Sequence, residues 1–102
     1  MTIIYLLKDQ VGYYKIGFTK KIINERIQGL QTGNSGNFDI IHIFKTNHNR
    51  RLETALHNIF KNKHVLREFY DLNKEDINNF INICNSLEKG FDDIKNYENK
   101  YY

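Results

Sequence analysis

The chain has no proline, no tryptophan, one methionine and one cysteine, Cys84. A single cysteine excludes an internal disulfide and fits a reducing compartment. No cysteine or histidine cluster stands at zinc-binding spacing, so the sequence offers no zinc site. There is no basic leader followed by an apolar run, and nothing near the roughly 18 consecutive apolar residues of a membrane span. The expectation is a soluble, intracellular protein of the cytoplasm, nucleoid or nucleus. The missing Pro and Trp, beside abundant Asn, Ile, Lys and Tyr, suit an AT-rich coding genome such as that of a phage or virus, which would place the protein in a host cell.

What is present describes an ordinary globular domain. Hydrophobic residues make up 40% and charged residues 26% of the 102, which argues against disorder. This length allows one domain and buries roughly two thirds of the surface of the unfolded chain, enough to fold without a staple. The net charge is only +3, but it is unevenly spread. Met1 to Arg67 carries 11 Lys+Arg against 4 Asp+Glu, or +7, and Glu68 to Tyr102 carries 4 Lys against 8 acids, or −4. A basic body with an acidic last third suits a polyanion bound on one side.

Patterning predicts the order β-β-α-β-α-α: a small α+β domain with a three-stranded antiparallel or mixed sheet flanked by helices. Residues 2–8 (TIIYLLK) are rich in β-favoured types and read as a strand. Asp9 to Gly12 is turn chemistry, and residues 13–19 (YYKIGFT) return as the second arm of a hairpin. Thr19 can cap a helix to Gln31 with Ile23, Ile27 and Leu30 as its buried stripe. A loop, Thr32 to Asn37, leads to a strand at 38–46. A second helix, Arg50 to Asn62, carries the stripe Leu52, Ala55, Leu56, Ile59 and Phe60. A connector ends in 67–72 (REFYDL), with room for a short extended piece. Asn73, with Asp76 as box partner, caps a last helix that buries Ile77, Phe80, Ile81, Cys84 and Leu87. Gly90 is expected to end or bend it, giving a domain at 1–94 and a frayed tail at 95–102.

Four features break this pattern. Tyr5 stands in the middle of the first strand. Strand parity puts Lys15 and Gly17 on one face, with Tyr14, Ile16 and Phe18 on the other. Glycine inside a strand is costly unless something must approach the backbone closely, and a cation beside open backbone suits a phosphate. Arg26 falls within the apolar arc of its helix, where a permanent cation needs an anionic partner. Glu53 and His57, four apart, share a helix flank beside the core, where a carboxylate can hold a divalent cation.

Taken together, these residues resemble the GIY-YIG nuclease domain. The first motif stands as Ile3-Ile4-Tyr5, without its glycine. The second stands as Lys15-Ile16-Gly17, with lysine in the place of tyrosine, as in a sub-branch common in phage and virus proteins. That branch is matched in order by Lys15 to Thr19 (KIGFT), Arg26 to Gly33 (RIQGLQTG), Glu53 to His57 (ETALH) and Arg67 to Tyr70 (REFY). The histidine that the family places one turn after the Arg is absent; Leu30 stands there.

The resemblance implies a metal-dependent endonuclease in which water attacks phosphorus in line with the leaving 3′ oxygen. Tyr5 would be the general base, helped by Lys15 across the hairpin, because a free phenol titrates near 10. Arg26 would clamp the non-bridging oxygens. Glu53 would hold one Mg²⁺ or Mn²⁺, with Glu68 as runner-up ligand, and His57 would orient Glu53 or touch the phosphate. Gly17, Lys20, Lys21, Arg50, Arg51, Lys61 and Lys63 would meet the nucleic-acid backbone, DNA before RNA, and Tyr13 is free to stack on a base. The rivals are a binding module that has lost catalysis and a viral interaction protein on the same fold. Substrate form and oligomeric state are not legible in the sequence.

Overall fold

A computed structural model describes residues 2–32 and 37–101, with the side chains of 27, 28, 30–32 and 101 left out. The expected loop, with the Gly33 that closes RIQGLQTG, falls largely outside the described residues, as do the Ile27 and Leu30 side chains of the expected stripe. Strands β1 (Thr2–Lys8) and β2 (Tyr14–Thr19) are followed by α1 (Ile23–Thr32), β3 (Asp39–Thr46) and α2 (Asn49–Ile59). A 3₁₀ turn (Lys61–Lys63), two short strands β4 (His64–Leu66) and β5 (Phe69–Tyr70), and α3 (Lys74–Tyr101) complete the fold. No helix of the described chain is long and apolar enough to cross a membrane.

The sheet has five strands in the order β3-β1-β2-β5-β4, and every pairing is antiparallel. The three-stranded expectation is thus corrected by β4 and β5, which hold three and two residues. Strands so short carry no readable alternation; β5 forms by pairing with Tyr14 and Lys15 of β2, and β4 by pairing with β5. The β1–β2 hairpin turn is held by Asp9, whose Oδ1 accepts the N–H groups of Val11, Gly12 and Tyr13. Gly12 takes the left-handed φ of +112° that the turn requires.

Period-2 alternation splits β1 between two clusters. Ile4 and Leu6 enter the main core with Tyr14, Ile16, Leu52, Leu56, Phe60, Phe80 and Cys84. Tyr5 and Leu7 face the other way, against Ile23 and Phe38. Burial in the main core pushes the Cys84 thiol up to about 12, so it serves as packing and not as a nucleophile. His42 of β3 donates from Nε2 to the Ile77 carbonyl at 2.9 Å and stacks on Phe80, which ties α3 to the sheet edge.

Several helix boundaries differ from expectation. Thr19 Oγ1 accepts the Lys21 N–H at 2.9 Å, making a local turn before α1 begins at Ile23, so it is not the cap. Helix α2 stops at Ile59, and Ile59 is half-exposed instead of belonging to the buried stripe. The Asn73–Asp76 box is present in both directions, at 2.8 and 3.0 Å. Helix α3 does not stop or break at Gly90; it runs on to Tyr101 because Phe91, four residues after Leu87, still packs against the main core.

Candidate active site

The second face of β1 and β2 is built around a missing side chain. Tyr5 is paired directly with Gly17 across the hairpin. A Cβ placed on Gly17 would lie 2.6 Å from Tyr5 Cζ and closer still to its oxygen. No residue other than glycine leaves room for the ring there. Sequence reasoning rightly expected a close approach at Gly17 but assigned it to a phosphate. The structure fills that space with the fully buried ring of Tyr5.

The Tyr5 hydroxyl meets Arg26 of α1, whose Nε donates to it at 3.3 Å. This partner explains the cation within the helix's apolar arc. Burial raises the Tyr5 pKa above 10.0; the Arg26 hydrogen bond and charge oppose that rise, and the negative charges of Glu68 and Glu53 add to it. Lys15 was expected to help the phenol. Its Nζ instead donates to Glu68 Oε2 at 2.6 Å and lies 5.3 Å from the Phe69 ring centroid. The expected Lys15–Tyr5 partnership is therefore replaced by Arg26–Tyr5 and Lys15–Glu68. Register accounts for the change: Lys15 pairs with Leu7, two residues along the ladder from the Tyr5–Gly17 pair, and reaches Glu68 of the β4–β5 turn.

That turn delivers Glu68. Arg67 takes a left-handed φ of +52°, which costs about 1 kcal/mol for a residue with a Cβ. In return, the Glu68 carbonyl accepts the Ile16 N–H at 3.3 Å, and its carboxylate reaches Lys15. Strand β5 is too short to satisfy the neighbouring Ile16 carbonyl. His57 of α2 does so, donating from Nε2 at 3.1 Å. A carbonyl only accepts, so this fixes the tautomer unless the ring is doubly protonated. His57 thus stands in for the missing strand partner and pins α2 to the edge of β2. It also lies 5.5 Å from the ring of Tyr70, a member of the site that sequence reasoning passed over. The signal was its place at the end of the REFY segment.

One turn before His57, Glu53 is half-buried. Desolvation raises its pKa above 4.5; His57, Lys15 and Arg50 oppose the rise, while the negative charge of Glu68 adds to it. Tyr70 is likewise raised by burial and by both carboxylates. Tyr5, Lys15, Arg26, Glu53, His57 and Glu68 thus come from five elements or turns and act on one another electrostatically around Gly17.

The basic residues divide. Lys20, Lys21, Arg50 and Lys61 are exposed. Arg51 turns the other way and lies 6.0 Å from the Phe91 ring on α3. Lys63 departs from the expectation of a cation open to phosphate: it is ion-paired with Asp76 of α3 and helps dock that helix. Tyr13 is partly exposed beside the hairpin turn.

A family model described as the T5orf172 domain matches residues 2–85, which spans every residue of this site. No curated protein and no solved structure gives a significant match.

Proposed function

From the premise that the chain belongs to the T5orf172 domain family, which is associated with GIY-YIG-type nucleases, we propose that it is a metal-dependent endonuclease hydrolysing phosphodiester bonds. The observation that carries the reading is the Tyr5–Arg26 contact over Gly17, with Lys15, Glu68 and Glu53 within electrostatic reach. The donor set also suits a hard divalent cation. Glu53 is a desolvated carboxylate, and the negative charge of Glu68 further disfavours its ionised form. Mg²⁺ or Mn²⁺ takes oxygen donors, keeps several waters, and would be held by Glu53 with Glu68 as alternative. When bound, such an ion supplies neutralising charge for the leaving oxygen.

The chain's own residues do the rest. Tyr5 Oη positions the attacking water and takes its proton in the fraction of molecules where it is ionised. Burial makes that fraction small, and Arg26 enlarges it. Arg26 is also a permanent cation for the non-bridging oxygens. Lys15 holds Glu68 in place and supplies positive charge beside the reacting phosphate. Lys20, Lys21 and Arg50 would hold flanking phosphates without reading sequence, on DNA before RNA.

The complete burial of Tyr5 favours a second reading, a nucleic-acid-binding module that does not cut. One experiment separates the two. Purified protein is incubated with single-stranded, duplex, branched and RNA substrates in Mg²⁺ or Mn²⁺. Cleavage of at least one, abolished by EDTA, is expected. Salt-sensitive binding with no cleavage supports the module, and neither binding nor cleavage supports a protein-interaction role.

A further inference from the structure

Where the start of α2 meets α3, three ligand-bearing side chains converge. His48 precedes the first turn of α2 but makes no side-chain cap to it. Its ring turns instead toward α3 and lies 5.6 Å from the Phe91 ring. His48 Nε2 is 2.7 Å from Asp92 Oδ1 and 3.9 Å from Glu88 Oε1. Glu88 and Asp92 are four apart, so they share one face of α3. The donor atoms of all three lie within 4.8 Å of one another.

Glu88 is anchored from behind. Its Oε1 accepts the Thr46 hydroxyl at 2.8 Å, and its Oε2 accepts the Asn47 N–H at 3.3 Å. The same Thr46 oxygen accepts the His48 N–H at 2.9 Å. Thr46 therefore positions both the imidazole and the carboxylate, as outer partners of metal ligands do. A proton on His48 offsets one of the two facing carboxylates; a divalent cation offsets both.

We propose that His48, Glu88 and Asp92 form a zinc-type transition-metal site that clasps the start of α2 to α3, separate from the candidate active site and independent of the nuclease reading. Zinc with N and O ligands about 2.0–2.1 Å away sets its donors about 3.3 Å apart, and the 2.7 and 3.9 Å distances straddle that spacing. Three protein ligands leave a fourth position for water. An imidazole donor selects zinc or a related ion over Mg²⁺, which prefers oxygen. The site is absent from any sequence motif because its histidine stands 40 and 44 residues before its two carboxylates. Bound metal would fix the helix start that carries Arg50 and Glu53.

The test uses the whole chain, stripped of metal by chelation. Zn²⁺ is titrated by calorimetry with Mg²⁺ as control, and thermal unfolding is followed with and without Zn²⁺. The expected result is one Zn²⁺ per chain, a raised melting temperature, and a tetrahedral absorption spectrum when Co²⁺ replaces zinc. Asp92→Asn, at a half-exposed position, should keep the fold and weaken zinc binding about a hundredfold or more. His48→Ala should do the same, with circular dichroism checking its fold. Thr46→Val should cost about tenfold, the scale of an outer partner. The proposal is overturned by absence of zinc binding to the parent, or by parental affinity in Asp92→Asn or in a folded His48→Ala.

Discussion

Residues 4 to 7 of β1 serve two faces of one sheet in alternation. Ile4 and Leu6 enter a core shared with α2 and α3. Tyr5 and Leu7 enter a much smaller cluster on the other face, where glycine replaces the side chain opposite Tyr5. The first face fills space with apolar atoms. The second keeps a phenol, a guanidinium, an ammonium and the Glu68 carboxylate together, with Glu53 of α2 in electrostatic reach, at a desolvation cost seen in the raised pKa values of Tyr5 and Glu53. Stability should therefore reside mainly on one face and chemistry on the other.

The largest test of that division is Leu6→Ala, which empties a fully buried position. It should destabilise the fold by about 2–5 kcal/mol, measured by urea unfolding, with the cleavage rate per folded molecule retained. Gly17→Ala breaks the division, because the new Cβ collides with the Tyr5 ring. A loss of about 1–3 kcal/mol together with loss of cleavage is expected. A harmless alanine would mean that the ring moves aside easily and that glycine has another role.

Glu53 sharpens the comparison through pH. Its folded pKa is raised, so its stabilising contribution belongs to the protonated form, is complete at low pH and is lost as pH rises through the folded value. Glu53→Gln should therefore raise the melting temperature at pH 7, and the gain should vanish in acid below the ordinary Glu range. Cleavage by the same variant should fall by roughly a hundredfold or more.

The smallest effect is at Gly90, exposed inside α3, where a Cβ meets nothing within 4 Å. Gly90→Ala should stabilise by about 0.5–1 kcal/mol and leave cleavage unchanged.

These outcomes also bear on what the sequence could convey. Long periodic segments were legible: β1 was placed residue for residue, and the Asn73–Asp76 box marked the start of α3. Parity correctly put Lys15 and Gly17 together on the face opposite Ile16. The β4–β5 hairpin was not legible, because five strand residues carry too little pattern and depend on β2 and on each other for partners. Partner choice was lost for a related reason. Motif spacing brings Tyr5, Lys15 and Arg26 to one site but cannot say which cation meets the phenol. That depends on the register of β1 on β2 and on the turn that presents Glu68. The role of His57 as a substitute strand partner depends on where β5 ends, which no local signal marks.

The proposed chemistry turns on one oxygen atom, the Tyr5 hydroxyl. Tyr5→Phe keeps the ring over Gly17 and removes only the hydroxyl that Arg26 contacts. Its stability should change by about 1 kcal/mol, the worth of one hydrogen bond. The metal-dependent cleavage rate, compared at equal fraction folded, should fall by roughly a hundredfold or more. The parent's rate should also climb with pH throughout the neutral range, because the raised Tyr5 pKa lies above 10.0. Parental cleavage by Tyr5→Phe would contradict the account and leave Tyr5 as packing alone.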